Sequence, residues 1–428
     1  MITFVSSFKK EPRPSVPRMP FTRMDAFLIL AFRVVYGMVA FWNLGSTQTP
    51  ATEYSITSGE SLVFDFGEDP GLLEMCWYLR DVDYITFTVA SRNSEEEEWS
   101  EEEGTTMGKG FYWSSYTLST SGRYLRLTIQ SAGASIAELI FLDEDGEMAV
   151  PVNAASTEAL FDEAELFPED MDYRSSTYFD EYLYARTAYA FLNGTEAAEI
   201  THPPMGKILM AVGVALFGAS PFGFRFMGTL LGVLMLPFIY LLCRDMTGNR
   251  TLGAFACFLL SCDFMHFVQT RMATIDVFIT FFTLLMFYFM YQYSWMSFYD
   301  TPLYRTFLPL GACGVCFSMG VACKWTGFYA GVGLAILFCR VLYLRVREYG
   351  YVRGKLEGES CGSARKMPEG EIYESARKIK ETEGCEQTQK IHEGEDYGIS
   401  CDKVIENFWK NMIATLAFAF LFSWSFRL

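Results

Sequence analysis

Bases are scarce and cysteines nearly missing over one long stretch of this chain. Residues 46–178 hold 27 Asp and Glu against 6 Lys and Arg, a balance of −21. The remainder carries +4 of the formal −17. No basic face of the kind that nucleic acids require is present, so that class of partner is excluded. Of 11 cysteines only Cys76 falls in the acidic stretch, so no disulfide can form within it. Cys313 and Cys316 have the spacing of half a zinc site but no second pair. Within an apolar run they read as small packing residues, and no metal is expected. Apolar residues are abundant: 51% of the chain is hydrophobic and 17% aromatic. That composition excludes a disordered chain, a fibrous one and a small secreted domain.

The apolar residues gather in runs at 26–42, 222–243, 251–265, 275–296, 307–322, 326–344 and 411–425. Most approach the ~20 residues that cross a bilayer. The pattern predicts a polytopic α-helical membrane protein with about seven helices, whose first partner is the lipid bilayer. Lys9, Lys10, Arg13, Arg18 and Arg23 precede the first run, which places the N-terminus in the cytoplasm. No small-x-small cleavage site follows, so residues 1–45 read as a cytoplasmic segment and an uncleaved anchor. Everything from 46 to 221 then lies outside the cell. The apolar run at 208–217 is too short to span and predicts an interfacial helix. Helices two to six occupy 222–344, and their connecting bases, Arg244, Arg250, Arg305, Arg345 and Arg347, fall on the cytoplasmic side. Residues 345–408 read as a flexible cytoplasmic loop. A further helix begins at 409, and the stop at Leu428 within it suggests a truncated chain.

Between 46 and 150 the period changes to two. Runs at 61–66, 84–89, 124–129 and 137–141 alternate apolar and polar residues between Gly and Asp turns, as in an extracytoplasmic β-sandwich. The order of Asn43-Leu-Gly-Ser-Thr-Gln, Arg123-Tyr-Leu-Arg-Leu-Thr and Glu138-Leu-Ile-Phe-Leu-Asp resembles a discoidin-like, galactose-binding jelly roll. That resemblance implies a possible glycan ligand. Glu95–Glu98 and Glu101–Glu103 flank Trp99 and read as a solvated hairpin tip, with a cation or glycan site as the alternative.

Three polar clusters interrupt the apolar body, all on the predicted outer side between 151 and 276. Asp180 and Glu181 open an amphipathic helix, where they are either chemically active or merely partners of the helix dipole. Thr201-His202-Pro203-Pro204-Met-Gly-Lys207 fixes a rigid turn before the interfacial helix. His266-Phe-Val-Gln-Thr-Arg271 and Asp276 mark the junction of helices three and four. Arg225 heads helix two, and Lys324-Trp325 joins helices five and six. Such charges at helix ends either snorkel to the interface or line an anion-binding cavity.

In order and spacing these motifs resemble the protein O-mannosyltransferases, which use dolichyl- or polyprenyl-phosphate mannose and have the GT-C fold. The similarity runs from about 175 to 345, and a β-module inserted in the first outer loop looks like bacterial members. The resemblance implies an inverting glycosyltransferase of the cell (plasma) membrane. It would move mannose from polyprenyl-phosphate mannose to Ser or Thr hydroxyls of exported proteins. Asp180 would be the general base, with Glu181 orienting it or the acceptor. His202, Lys207, Arg225, Arg271, Asp276, Lys324 and Trp325 would bind donor phosphate or substrate. No cofactor beyond the lipid-linked donor is implied. The alternatives are another GT-C transferase acting on a lipid or wall glycan, and a non-enzymatic membrane glycan-binding protein. The sandwich carries none of the five motifs and is expected to be dispensable for chemistry.

Overall fold

Two periodicities in the sequence become two kinds of structure. A computed structural model describes residues 19–361, apart from 82, 132 and 297–302, together with Lys410. The basic N-terminal segment, most of the 345–408 loop and the final helix lie outside the described residues.

Helix α1 (Arg23–Phe41) starts at a capping box in which Thr22 and Asp25 satisfy each other's groups. Phe27, Leu30, Val34 and Met38 form a stripe along it that is 47–65% exposed. An apolar stripe facing outward is what lipid stabilises and water does not. At the start of α1 the buried Asp25 accepts from the Tyr240 hydroxyl at 2.7 Å and faces Arg244 and Arg250 at 3.2 Å each. Two of the bases read as a cytoplasmic cluster are therefore tied to one acid.

Among the described residues nine strands follow: β1 (Tyr54–Thr57), β2 (Ser61–Asp65), β3 (Leu72–Leu79), β4 (Asp83–Arg92), β5 (Ser100–Gly108), β6 (Tyr112–Thr117), β7 (Tyr124–Ile129), β8 (Gly133–Asp143) and β9 (Met148–Ala149). One sheet runs β1-β8-β3-β6 with β9 beside β8, and the other runs β2-β7-β4-β5. All pairs are antiparallel. On β7 buried residues alternate strictly with half-buried ones, the period-two signature of a sheet with one covered face. Trp77 on β3 meets Phe87 on β4 with ring centroids 5.6 Å apart, and Phe64 on β2 meets Phe141 on β8 at 5.3 Å. Aromatic pairs across the gap fasten the two sheets. Glu101–Glu103, read as part of a loop, belong to edge strand β5. There Glu101 pairs with Arg126, and the guanidinium groups of Arg92 and Arg126 lie 4.4 and 4.5 Å from the Trp99 ring.

Strand β8 departs from alternation: Leu160 and Phe161 pack in the core on one side of it, and Glu163 bonds Glu138 on the other. Glu138 is fully buried there, its Oε2 accepting from the Glu163 N–H at 3.1 Å while Oε1 has no partner among the described residues. Its carboxylate and those of Asp162 and Glu163 have oxygens within 4.8 Å of one another. Burial, then the charges of Asp162, Glu163 and Glu165, push the Glu138 carboxyl up to about 8. A carboxyl raised in the folded state holds a proton that the unfolded chain releases. The sandwich should therefore lose stability as pH rises from 4.5 to about 8. Glu138→Gln should flatten that slope and stabilise the protein above pH 8 by on the order of 3–5 kcal/mol. Calorimetric unfolding of both proteins at pH 5, 7 and 9 checks it.

Past the sandwich come α2 (Glu181–Asn193), α3 (Met205–Phe217), α4 (Pro221–Thr247), α5 (Arg250–Ser261), α6 (Phe264–Thr270), α7 (Asp276–Ser294), α8 (Leu303–Cys323) and α9 (Gly327–Cys361). Among the described residues, five helices are long and apolar enough to cross a membrane, or six if α5 and α6 make one span. This is a multi-pass membrane protein. The third expected helix is not continuous: α5 and α6 meet at 61°, where Asp263 caps a new helix by accepting from the His266 N–H at 2.6 Å. The sixth does not end at 344. Helix α9 continues to Cys361, into residues expected as loop. Helix α3, 13 residues long, has the length expected of a non-spanning helix.

Two compact units result, one comprising Met19–Tyr288 with Cys316–Gly331. The other holds Phe289–Val315 and the described residues from Val332 onward. Every site residue named from the sequence lies in the first. Within it, Gly228 and Gly232 let the chain at 270–272 cross close over α4. A Cβ at Gly232 would sit 2.5 Å from Thr270 Cγ2, a small-residue approach common between membrane helices.

Candidate active site

Asp180 and Glu181 are neighbours with opposite fates. A helix turns ~100° per residue, so adjacent side chains cannot share a face. Glu181 points inward and is 1% exposed. Its Oε1 accepts from Arg225 Nε at 2.8 Å and from the Ala273 N–H at 2.6 Å, and its Oε2 from Arg225 Nη2 and the Tyr178 N–H. Arg225, 2% exposed, gives its remaining N–H groups to the carbonyls of Leu44, Tyr173 and Ser176 at 3.0, 2.6 and 3.1 Å. All five donors of the guanidinium are engaged. The resemblance made Arg225 a candidate for binding donor phosphate or substrate. Arg225 instead knots the exit of α1, the 173–178 loop, α2 and the α6–α7 link together, with no donor left for a ligand.

Asp180, by contrast, is the half-buried N-cap of α2, and its side chain makes no capping hydrogen bond. Of the carboxylates at this end of the helices, it has neither hydrogen bond nor ion pair among the described residues. Phe179 just before it adopts a left-handed φ of 54° with its ring 69% exposed. Such strain in a non-glycine residue persists only where surrounding structure imposes it, and it clusters at functional sites.

Lys207 is also committed. The sequence put it within reach of a phosphate, yet it is 1% exposed. Its Nζ donates to Glu199 Oε2 at 2.5 Å, to the Glu199 carbonyl at 2.8 Å and to the His202 carbonyl at 3.0 Å. Glu199 also accepts from the His202 N–H at 2.9 Å and the Thr201 hydroxyl, with His202 Nδ1 3.1 Å away. The motif is thus a self-satisfied turn. Its glycine lets α3 approach α7, since a Cβ at Gly206 would sit 3.0 Å from Ile275 Cγ2. Burial works to raise the Glu199 carboxyl, but bonds from Lys207, Thr201 and His202 outweigh it and hold the group at about 2. A lowered carboxyl stabilises the fold above its ordinary value and loses that effect as pH falls through the folded one. The turn should open between pH 4.5 and about 2. Glu199→Gln should open it already at neutral pH, at a cost on the order of 2–3 kcal/mol. Amide exchange at residues 199–207 measures both.

The other assigned residues gather near Tyr184, one turn beyond Asp180. Burial pushes the Tyr184 phenol up to about 12, helped by the charges of Glu199, Asp180 and Asp276. Its ring lies edge-on to His202 with centroids 6.2 Å apart. Asp276 pairs with Lys324 Nζ at 2.6 Å, and Trp325 donates Nε1–H to the Thr201 carbonyl at 3.3 Å while 58% exposed. Asp180, Tyr184, His202, Asp276, Lys324 and Trp325 thus form one polar neighbourhood. Arg271 faces elsewhere. Its Nη2 donates to the carbonyls of Trp42 and Asn43 at 2.9 and 2.7 Å, and its buried Nε–H has no partner among the described residues. It lines a cavity of about 480 Å³ with Met38, Val39, Trp42, Asn43, Tyr173 and Phe267.

Sequence reading missed Glu199 and Tyr184. An acid three residues before His202 was visible, and so was a tyrosine four after Asp180. Neither had a local signal to separate it from surface residues.

Apolar spans, an inserted β-sandwich and a polar cluster at the sandwich-bearing helix ends define a multi-pass membrane protein with a concentrated site. Over part of its length the chain resembles the protein O-mannosyltransferases by sequence comparison as well as by motif. Residues 217–350 match the family model described as dolichyl-phosphate-mannose-protein mannosyltransferase. A polyprenol-phosphate-mannose–protein mannosyltransferase of Mycobacterium tuberculosis is 41% identical over 110 residues, 24% of this chain and 21% of that protein. The protein of the same name from Mycolicibacterium smegmatis is 30% identical over 173 residues, 35% of this chain and 33% of that one. The chain therefore spans between about a fifth and a third of these curated relatives. Among solved structures, the S. cerevisiae Pmt1-Pmt2 protein O-mannosyltransferase complex bound to the sugar donor aligns at a TM-score of 0.37 and 20% identity, over 40% of this chain and 25% of that one. The CBM32 domain of AlyQ in complex with 4,5-unsaturated mannuronic acid aligns at 0.20 and 23% identity, over 24% of this chain and 84% of that one.

Proposed function

We propose that this chain carries the catalytic portion of an inverting mannosyltransferase of the plasma membrane. It would transfer mannose from polyprenyl-phosphate mannose to Ser or Thr hydroxyls of exported proteins. The N-terminus lies in the cytoplasm and the sandwich and polar cluster lie outside, where acceptors emerge. One observation carries this reading: Asp180 is presented on a strained turn with its carboxylate uncommitted, while Glu181, Glu199 and Asp276 beside it are all paired. A general base needs a lone pair free to take a proton. The acceptor hydroxyl oxygen attacks the anomeric carbon, the bond from that carbon to the phosphate oxygen breaks, and Asp180 takes the hydroxyl proton. The lipid phosphate departs with the electron pair.

Arg271, which lines a cavity with Met38 and Val39 of α1, and Lys324, in the neighbourhood of Asp180, are the candidate cations for that phosphate. Apolar walls suit a prenyl chain, and a preorganised guanidinium stabilises the charge that develops on the leaving group. A glycan ligand for the sandwich is a further element of the proposal. The test is transfer of label from radiolabelled polyprenyl-phosphate mannose to a Ser/Thr-rich peptide by membranes containing the full-length protein. Label reaching lipid or wall glycan but no peptide would reject the protein acceptor.

A further inference from the structure

We propose that the β-sandwich positions the catalytic segment, with Phe111 as its positioning residue. The catalytic consequence rests on the function proposed above; the mechanical one does not. Phe111 sits in the turn between β5 and β6 with a left-handed φ of 58°, and it is fully buried although it lies in a short connection that crosses from one sheet to the other. Its ring enters the helical body, 5.4 Å from Tyr189 of α2 and 4.7 Å from Phe224 of α4. An aromatic residue held in a left-handed turn would ordinarily be replaced by glycine or asparagine. Here the buried ring compensates, so the turn is shaped to deliver it.

Hydrogen bonds continue from that tip into the segment before Asp180. The Thr177 N–H and hydroxyl donate to the carbonyls of Phe111 and Gly110, each at 2.9 Å, and the Trp113 N–H donates to Ser176 Oγ at 3.1 Å. A second tie joins the β3–β4 turn to α2. Arg186 donates to both oxygens of Asp81 at 2.6 and 2.8 Å. The Asp180 carboxylate has no bond of its own, so its position is set by its backbone. That backbone is anchored on one side at Glu181 by Arg225. On the other side it is anchored at Ser176 and Thr177 by the sandwich. The module expected to be dispensable is one of the two anchors of the general base.

The test compares Phe111→Ala, Phe111→Leu and Asp81→Asn in the full-length membrane protein, by amide exchange and by transfer kinetics. Phe111→Ala should speed exchange at 177–181 by about tenfold or more while β3 and β8 stay protected. It should lower kcat by about 10- to 100-fold with KM for the lipid donor within about twofold, because misplacement acts on chemistry rather than on binding. Phe111→Leu should restore most of both. The exposed Asp81→Asn, which leaves the core alone, should loosen the same segment to a smaller degree. Wild-type exchange at 177–181 in both Phe111→Ala and Asp81→Asn overturns the proposal, as does loosened exchange with unchanged kcat. If Phe111→Ala unfolds the sandwich altogether, Asp81→Asn decides alone. A wild-type protein that transfers no mannose rejects the functional reading, while exchange still decides whether the sandwich holds the segment.

Discussion

Asp180→Asn is expected to abolish most mannosyl transfer while leaving the fold intact. The side chain is half-buried and makes no hydrogen bond or ion pair, so the isosteric amide removes nothing the native structure depends on. The amide cannot accept the acceptor's proton. A lost general base costs about 10²–10⁴ in turnover. Donor KM should stay near wild type, since the leaving phosphate is handled elsewhere. Initial rates over a range of donor concentrations, with thermal unfolding as a control, measure both claims. Near-normal turnover in a well-folded Asp180→Asn protein would reduce the half-buried acid to a helix-terminal feature.

The adjacent substitution should behave in the opposite way. Glu181→Ala removes one member of a buried ion pair and leaves a guanidinium that is 2% exposed facing an empty space. Breaking such a pair costs about 3–5 kcal/mol, because the surviving charge is stranded in a low-dielectric interior. Arg225→Met should cost a similar amount and also orphan the carbonyls of Leu44, Tyr173 and Ser176. The expected result is a large drop in the unfolding midpoint in detergent, with activity lost in proportion to folded protein. Full thermal stability with selective loss of donor binding would restore Arg225 to the phosphate site.

These two outcomes separate what was legible in the sequence from what was not. The spans were legible because burial in lipid demands long apolar runs and nothing else in the chain supplies them. Strands β2, β4 and β7 were legible from period-two alternation, and β8 as a short β-rich run. Strands β5 and β6 were not: the first is polar and acidic along its length, and the second is a short polar–aromatic run. The break between α5 and α6 escaped notice because Cys262 and Asp263 interrupt the apolar run too briefly to alter its hydropathy.

The candidate site divides in the same way. The sequence by itself determined which charged residues crowd the sandwich-bearing helix ends, because an ionisable group survives beside a bilayer only where function or pairing keeps it. Only the tertiary structure decided which of them pair. Glu181 meets Arg225 44 residues away, and Lys207 meets Glu199 across eight. No local period encodes such partners, and the strength of an ion pair depends on separation and burial, both properties of the folded chain. Asp180 and Glu181 are alike as residue types and adjacent in sequence. Burial of Glu181 against Arg225 of α4 turns one carboxylate into the fold's knot, while the other has no hydrogen-bond partner among the described residues.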